Sequence, residues 1–368
     1  MSFEASVAVE AARPWPKVVK IGLPGGFCAG VERSVQASRR FVETHPEGTV
    51  FFVGTPAHNP HVINEFKRKG VRFVDSVDEV PKDGNAIVGP HGHTEQDVQV
   101  LQQGAQIDTG GVINADKQLE PEGVQVRDFA LTECPLVTKV KKEIARNTED
   151  GYVTIYYGQL LKDKDGVVIG PHPETRAAMS AGNVRLVTSL EEALSDDSYE
   201  QIDDPTKVAF STQTTHNADE ALEMGEILLE IFPQMRLPKT DDICYATRDR
   251  QKAAKAVIED GAEVVVVVGD RETSSNTRSL ALTAEKKGAR VIIVNSRKEL
   301  NPEFFYGASS VGVVASASAP SIQVRGVIRF FEKRGSGLQR IEVADESNIH
   351  FSPPKVQRSN LPEIVWAS

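Results

Sequence analysis

Cysteine, tryptophan and methionine are scarce in this sequence of 368 residues, which contains three, two and four of them respectively. Three cysteines cannot all pair, and none belongs to a C-x-x-C motif, so a disulfide framework is not expected. Unpaired thiols are typical of a reducing compartment, and we therefore expect a cytoplasmic protein.

Long apolar runs and an excess of positive charge are also missing. The longest apolar run, Val264–Val268, is far too short to cross a bilayer, which takes about 20 residues. A net charge of -10 does not favour nucleic acid binding, because that requires a basic surface to replace the counterions of phosphates. We expect neither a membrane nor a nucleic acid partner. Residues 1–17 lack the continuous apolar core of a secretory signal and are expected to form a disordered leader.

Short runs rich in Val and Ile alternate with segments of helical periodicity. The runs predict strands at Val18–Ile21, Val50–Val53, Val153–Tyr156, Val208–Phe210, Val264–Val268, Val291–Val294 and Val311–Ala315. The periodic segments predict helices at Val31–Thr44, Val137–Asn147, Ala218–Ile231 and Arg248–Asp260. Strands that alternate with helices favour parallel sheets flanked by helices, so the predicted fold class is α/β.

The three cysteines divide the chain almost evenly, since 106 residues separate Cys28 from Cys134 and 110 separate Cys134 from Cys244. Each cysteine is expected where a strand ends and a helix begins. The repetition predicts three similar α/β units, over residues 18–130, 131–240 and 241–335, and an extended C-terminal tail over 336–368.

This placement favours a shared metal site. The backbone N–H groups at a helix start lower the pKa of a thiol, and the thiolate is the form that binds metal. If the units surround a pseudo-threefold axis, the cysteines meet at the carboxyl ends of the strands. Three thiolates favour an iron–sulfur cluster, and a 4Fe–4S cluster with three protein ligands leaves one iron for substrate. Three unrelated buried cysteines, or a zinc site without the usual close ligand pairs, are the alternatives.

Polar residues follow the later strands of each unit, where the same crevice would lie. They are His58, His91, His172, Glu174, Thr214, Thr215, Ser274, Ser275, Asn276 and Ser318. Hydroxyls, amides and protonated histidines donate to phosphate oxygens, so the set suits a small diphosphate. Glu174 is a candidate proton donor, with a pKa raised by desolvation. Taken singly, a serine or threonine after a strand more often caps a helix or forms a turn.

Taken together, the motifs resemble the 4-hydroxy-3-methylbut-2-enyl diphosphate reductase family of the non-mevalonate isoprenoid route. The matching segments span most of the chain in the family's order. They are GFCAGVER at 26–33, AHN at 57–59, HG at 91–92, CPLVTK at 134–139, HPE at 172–174, TQTT at 212–215, DDICYAT at 241–247, SSN at 274–276 and ASAP at 317–320.

The resemblance implies a trefoil of three α/β units around a central 4Fe–4S cluster held by Cys28, Cys134 and Cys244. It implies diphosphate contacts from His58, His91, His172, Ser274, Ser275, Asn276 and Ser318. It places Thr214 and Thr215 beside the substrate hydroxyl and makes Glu174 the proton-delivering group. The implied reaction is reductive dehydroxylation to isopentenyl and dimethylallyl diphosphate, with electrons from a ferredoxin or flavodoxin.

The sequence departs from the family pattern at two insertions, 93–133 and 159–170, and at Gly158-Gln159, where bacterial members commonly have Gly-His. These departures flank the substrate side of the second unit, so they bear on substrate identity more than on the cluster. Three other interpretations stay open. They are a diverged relative that acts on another phosphorylated alcohol, a non-catalytic iron–sulfur sensor, and an α/β protein without metal.

Overall fold

The computed structural model describes residues 14–46, 49–81, 84–103, 128–162, 165–195, 199, 202–354, 356–358 and 361–364. Most of the expected leader lies outside the described residues, as do residues 104–127 of the first expected insertion and parts of the expected tail. Within the described ranges, no helix combines the length and the apolar character needed to cross a membrane.

Strands and helices alternate along the described chain. The strands are β1 (Val18–Leu23), β2 (Val50–Val53), β3 (Arg72–Val74), β4 (Asn85–Val88), β5 (Asp128–Leu131), β6 (Val153–Tyr157), β7 (Leu160–Lys162), β8 (Val168–Pro171), β9 (Val184–Val187), β10 (Val208–Thr212), β11 (Val264–Val268), β12 (Arg290–Val294), β13 (Ser310–Ala315), β14 (Gly337–Glu342), β15 (Val356–Arg358) and β16 (Leu361–Ile364). The α-helices are α1 (Ala29–Thr44), α2 (Pro60–Arg68), α3 (Glu95–Gln103), α4 (Pro135–Glu149), α5 (Pro173–Met179), α6 (Leu190–Ala193), α7 (Ala218–Ile231), α8 (Tyr245–Glu259), α9 (Ser275–Lys286) and α10 (Ser321–Glu332).

All of the strands and helices that apolar runs and helical periodicity predict are present, so the α/β prediction is confirmed. β2, β11 and α7 have the predicted bounds. The periodic segment that starts at Arg248 marks only part of α8, which begins at Tyr245, as the helix start expected after Cys244 predicts. Its sequence YAT carries no strong helical periodicity, and the helix start is set instead by the cap at Cys244.

Parallel pairing dominates three sheets. The five-stranded sheet has the order β12-β11-β13-β1-β14, the three-stranded sheet β10-β6-β9, and the six-stranded sheet β16-β15-β5-β4-β2-β3. β7 and β8 form a separate antiparallel hairpin within the second expected insertion. β1 pairs with β13 and β14, so the expected first and third units share one sheet. The expected tail adds β14 to that sheet and β15 to the six-stranded one.

Successive residues of the central strands pack into different hydrophobic clusters on the two faces of each sheet. In β11, Val264, Val266 and Val268 join one cluster, and Val265 and Val267 join another. Phe52 and Phe51 of β2 divide in the same way, as do Tyr157 and Tyr156 of β6. Strands that are buried on both faces read as continuous apolar runs, which is why these strands were visible in the sequence.

Each cysteine is the N-cap residue of a helix: Cys28 of α1, Cys134 of α4 and Cys244 of α8. The predicted helix starts are confirmed. The predicted preceding strand is present before Cys28 and Cys134. Before Cys244, the described residues 232–243 that follow α7 form no strand and contribute only an isolated bridge between Arg236 and Ala209. Pro238 follows and has no N–H to donate, so the pairing stops there.

Arg250 connects α8 to the loop that carries Cys28. Its guanidinium is buried and donates to the backbone oxygens of Ala246 and Gly26, at 2.9 and 2.7 Å, and to the carboxylate of Glu346 at 2.8 Å. Glu346 belongs to the segment that follows β14. One side chain therefore fixes two of the three cysteine-bearing elements and the C-terminal segment relative to one another.

Substituting Arg250→Met leaves the Gly26 oxygen and the Glu346 carboxylate buried without their donor. We expect the free energy of unfolding to fall by about 3 kcal/mol, the usual cost of breaking a buried ion pair. Lys252→Met breaks the exposed pair with Asp249 and should cost less than about 0.5 kcal/mol. Denaturant unfolding of both variants measures the difference, and equal losses would contradict this role of Arg250.

Candidate functional site

One central cavity is lined by every residue that the sequence singled out for chemistry. These residues are Cys28, Cys134, Cys244, His58, His91, His172, Glu174, Thr214, Thr215, Ser274, Ser275, Asn276 and Ser318. They come from segments that lie far apart in the sequence and belong to all three sheets or to their connections. The structure thus brings the predicted residues together, and their individual roles stay predictions.

The cysteine thiols enter the cavity from the starts of α1, α4 and α8, and all three are free. Gly30, in the first turn of α1, lies between two of them. A Cβ atom at this position would be 2.9 Å from Cys134 Sγ and 3.8 Å from Cys28 Sγ. A side chain there would crowd the thiols, so the glycine keeps space open between Cys28 and Cys134.

At Cys134 and Cys244 burial raises the thiol pKa, whereas a helix start alone is expected to lower it. Burial, with a contribution from neighbouring Cys28, raises the pKa of Cys134 to about 12. The same two causes raise the pKa of Cys244 to about 11, although Thr247 donates its N–H to Cys244 Sγ. Desolvation therefore outweighs the helix dipole at these positions. A metal that binds here has to displace thiol protons.

The thiols of Cys28, Cys134 and Cys244 suit a soft metal better than a hard one, because sulfur is a soft ligand. Among the residues that the structure describes, no three His, Cys, Asp or Glu side chains are arranged to hold a single metal ion. The thiols nevertheless border one cavity. The thiols come from the starts of three separate helices.

Three histidine rings form a cluster in the wall of the cavity. The rings of His58 and His91 are stacked with centroids 3.8 Å apart, and the centroid of His172 lies 5.5 Å from that of His58. Burial lowers the pKa of all three well below the ordinary value, and Arg278 lowers those of His58 and His172 further. The cluster is therefore neutral at pH 7 when no anion is nearby.

The backbone sets the tautomer of His172. This residue is the N-cap of α5, and its Nδ1 accepts a hydrogen bond from the N–H of Glu174 at 3.2 Å. In the neutral ring the proton then resides on Nε2. That atom is buried and has no hydrogen-bond partner among the described residues, and the same is true of His58 Nε2. Buried groups of this kind are expected to meet a ligand.

The polar residues of the third expected unit are connected by hydrogen bonds. Asn276 donates from Nδ2 to Thr247 Oγ1 at 3.0 Å and accepts at Oδ1 from the N–H of Ala317 at 2.8 Å. Ser274 Oγ accepts from the N–H of Thr277 and lies 3.3 Å from Ser318 Oγ. Ser274 is thus a helix cap, as the alternative interpretation required, and it also lines the cavity.

Glu174 is the second residue of α5 and is buried, with 2% of its surface exposed. Burial raises the pKa of its carboxyl group to about 7, although Thr214 donates hydrogen bonds to it. One of these runs from the N–H of Thr214 to Oε1 at 2.6 Å. The oxygen of Thr214 accepts from the N–H of Cys244 at 3.0 Å, so the carboxyl group is positioned directly against a cysteine-bearing segment.

Three residues that the sequence reasoning did not select also contribute to the site. Tyr245 lines the cavity, and its Oη accepts a hydrogen bond from the N–H of Ala29. Arg33 donates to the backbone oxygens of Thr132 and Glu133, just before Cys134. Tyr245 and Arg33 lie within the motifs at 241–247 and 26–33, so the sequence could have indicated them. Phe351 reaches the cavity from the C-terminal segment, and no motif pointed to it.

A second cavity adjoins the first and shares His58 and His91 with it. Leu161 and Ile169, from the β7–β8 hairpin, line its other side. The second insertion therefore borders the histidine cluster, whereas most of the first insertion lies outside the described residues.

Comparison with known proteins agrees with this arrangement. The family model described as LytB protein matches residues 19–332. A protein of Xanthomonas axonopodis pv. citri named 4-hydroxy-3-methylbut-2-enyl diphosphate reductase is 32% identical over 353 residues, which cover 93% of this chain and 99% of the relative. A protein of Stenotrophomonas maltophilia with the same name is 33% identical, with the same coverage.

Solved structures resemble the fold. The reductase of (E)-1-hydroxy-2-methyl-but-2-enyl 4-diphosphate from Plasmodium falciparum superposes with a TM-score of 0.76 at 19% identity, covering 93% of this chain and 96% of that one. A structure of (E)-4-hydroxy-3-methyl-but-2-enyl diphosphate reductase gives a TM-score of 0.53 at 24% identity, with 86% and 99% coverage. The trefoil arrangement of α/β parts is thus confirmed. Because the family model matches most of this chain and the relatives are more than 30% identical to it, the chain belongs to the LytB family.

Proposed function

We propose that the protein reduces 4-hydroxy-3-methylbut-2-enyl diphosphate to isopentenyl and dimethylallyl diphosphate. The carbon–oxygen bond of the allylic alcohol breaks, the oxygen leaves as water, and two electrons and two protons enter. The observation that carries the proposal is the central cavity, where three free thiols, unpartnered buried imidazoles and a carboxyl group with a pKa of about 7 converge. The names of the curated relatives support the same reaction.

Cys28, Cys134 and Cys244 are the proposed ligands of a 4Fe–4S cluster. Such a cluster would supply single electrons to the reaction. The protein's contribution at this end is the placement of three thiols at three helix starts and the space that Gly30 leaves between two of them.

The histidine cluster and the polar residues at the start of α9 are the proposed diphosphate site. Neutral His172 presents Nε2–H to the cavity, and an anion placed there would favour protonation of the histidine rings. The hydroxyls of Ser274, Ser275 and Ser318 and the amide of Asn276 add neutral donors. Thr214 and Thr215 are proposed to lie beside the substrate hydroxyl.

Glu174 is the proposed proton donor. A general acid works best when its pKa is close to the working pH, and burial brings this carboxyl group to about 7. The N–H of Thr214 orients Oε1, which leaves the other carboxyl oxygen to carry the proton.

The electrons require an external one-electron donor, for which a ferredoxin or flavodoxin is proposed. The cytoplasm is the proposed location, because three free cysteines call for a reducing compartment. The decisive assay uses anaerobically purified, iron-loaded protein with viologen reduced by dithionite. We expect turnover of 4-hydroxy-3-methylbut-2-enyl diphosphate, and no turnover by a sample with intact iron and sulfide content would refute the proposal.

Single substitutions Cys28→Ala, Cys134→Ala and Cys244→Ala should each abolish stable cluster binding, because shared ligation fails when one thiol is lost. Iron and sulfide content and visible absorbance after anaerobic purification measure the effect. Ser189→Ala, at the cap of the distant helix α6, should keep wild-type iron content. Full iron content in the Cys134→Ala variant would show that the thiols do not act together.

Glu174→Gln keeps an acceptor for the N–H of Thr214 but removes the acidic proton. We expect kcat to fall about 100-fold or more while iron content stays unchanged, which is the usual range for losing a general acid. The exposed Glu223→Gln on α7 is the matched control and should leave kcat unchanged. Equal kcat in Glu174→Gln and wild type would exclude the proposed role of Glu174.

The pKa of Glu174 also sets a pH dependence. The acid form is present below about pH 7 and is lost as the pH rises through that value, so wild-type kcat should decline on the alkaline side. Activity measured from pH 6 to 9 with saturating reductant tests this expectation. In Glu174→Gln the residual kcat should lose that decline, and a decline that persists would assign it to another group.

Binding of inorganic pyrophosphate should take up protons at pH 7. The free imidazoles are neutral because burial lowers their pKa, and a bound anion raises it, so protons move onto the protein. Titration calorimetry in buffers of different ionisation enthalpy measures the uptake. His61→Asn, an exposed residue of α2, should leave the uptake unchanged. Proton release on binding would contradict the histidine site.

A further inference from the structure

Gln213 is a fully buried amide directly after β10, with 0% of its surface exposed. Its Oε1 accepts from Thr175 Oγ1 at 3.0 Å and from the N–H of Gln159 at 3.1 Å. Its Nε2 donates to Thr215 Oγ1 at 2.8 Å and to Ser275 Oγ at 3.1 Å. A carboxamide has two donor hydrogens and an acceptor oxygen with two lone pairs, so these four bonds use its entire capacity.

The orientation of the amide follows from its partners. The backbone N–H of Gln159 can only donate, so it must face an oxygen. The same N–H also lies 3.1 Å from Thr175 Oγ1. If the amide were turned over, its NH₂ group would face the N–H of Gln159 at 3.1 Å, and two donors would oppose each other in a buried setting. Gln159 and Thr175 therefore hold Oε1 on one side, and the NH₂ group has to point towards the hydroxyls of Thr215 and Ser275.

This orientation decides how the two hydroxyls act. Both oxygens already accept from Gln213, so their protons are left to donate elsewhere. For Thr215 Oγ1, the described residues offer no second partner. For Ser275 Oγ, a long contact of 3.4 Å leads to the backbone oxygen of Thr215, which already accepts from Ser279 Oγ at 2.8 Å. Both Thr215 and Ser275 line the central cavity, where an acceptor can take their protons.

We propose that Gln213 is a positioning residue that makes Thr215 and Ser275 hydrogen-bond donors towards the ligand. The site then selects ligand groups that accept hydrogen bonds, a phosphate oxygen at Ser275 and the oxygen of the substrate hydroxyl at Thr215. The proposal rests on the proposed function for the identity of the ligand as an allylic diphosphate. Gln213 does not line the cavity in the described structure, so it acts through the two hydroxyls.

Gln213→Glu tests the direction of the hydrogen bonds to Thr215 and Ser275 with almost no change in the shape of the side chain. A carboxylate can only accept, so the hydroxyls turn their protons towards residue 213 and present lone pairs to the ligand. Binding of inorganic pyrophosphate to the anaerobic iron-loaded protein, measured by calorimetry, should weaken about tenfold or more at pH 8. The ratio to wild type should shrink at pH 6, because a protonated carboxyl group can donate again.

Two further variants separate polarity from packing and charge. Gln213→Met keeps a similar length, removes both donors, and should weaken binding by a smaller factor that is the same at both pH values. Gln251→Glu is the matched control, since the amide of Gln251 is buried in α8 and its hydrogen bonds within the described ranges run to the backbone of His216 and Ala218. It should keep pyrophosphate affinity within about twofold of wild type.

The measured pattern decides the proposal. It is overturned if Gln213→Glu binds pyrophosphate like wild type, if its loss is independent of pH and equal to that of Gln213→Met, or if wild type does not bind pyrophosphate. Kinetics give a second readout, since KM for the diphosphate should rise in Gln213→Glu. A wild-type protein that binds pyrophosphate but does not turn over the substrate refutes the proposed function alone, and the role of Gln213 is then judged on binding.

Discussion

Desolvation of the central cavity governs the chemistry of the whole molecule. The same burial raises the pKa of Cys134 and Cys244, lowers the pKa of the histidine rings and raises the pKa of Glu174. Each shift favours the neutral form, because a charge in this environment lacks water. The protein thus builds a wall of neutral donors and acids, and charge enters with the groups that bind. The free energy with which those groups bind then offsets the cost of ionising residues in the cavity wall.

Hydrogen bonds between distant segments hold this wall in place. Asn276 connects α9 to α8 through Thr247, and Gln213 connects the end of β10 to the start of α9 through Ser275. Arg33 fixes the approach to Cys134 from α1. The site is therefore not a property of any one sheet. Its geometry depends on contacts between parts that each have their own hydrophobic core.

Much of this arrangement could be predicted from the sequence, for physical reasons that differ between the strands, the helix starts and the cavity residues. The central strands were visible because burial on both faces demands uninterrupted Val, Ile and Phe, as in β11 and β2. The helix starts at Cys28, Cys134 and Cys244 followed from the positions of the cysteines between strands and periodic segments. The set of cavity residues followed from chain order and from strand ends, which parallel sheets bring to a common edge.

Other features depend on tertiary contacts that no local pattern records. The strand expected before Cys244 shrinks to one bridge because Pro238 interrupts it. The pKa values of Cys134 and Cys244 follow burial rather than the helix start, and burial at the cavity depends on segments from elsewhere in the chain. The role inferred for Gln213 could not be found from TQTT alone, since its partners Gln159 and Ser275 lie 54 and 62 residues away.

The position of β1 has a consequence for the order of assembly. β1 is the first described strand, yet it lies between β13 and β14, and Val18 pairs with Ser310 and Gly337. During synthesis β1 leaves the ribosome long before its neighbours exist, so this sheet cannot close until β13 and β14 have been made. Cys28 follows β1 and reaches its final place only at that point. A chain that ends before β13 therefore lacks both neighbours of β1, and the segment that carries Cys28 has no sheet to join.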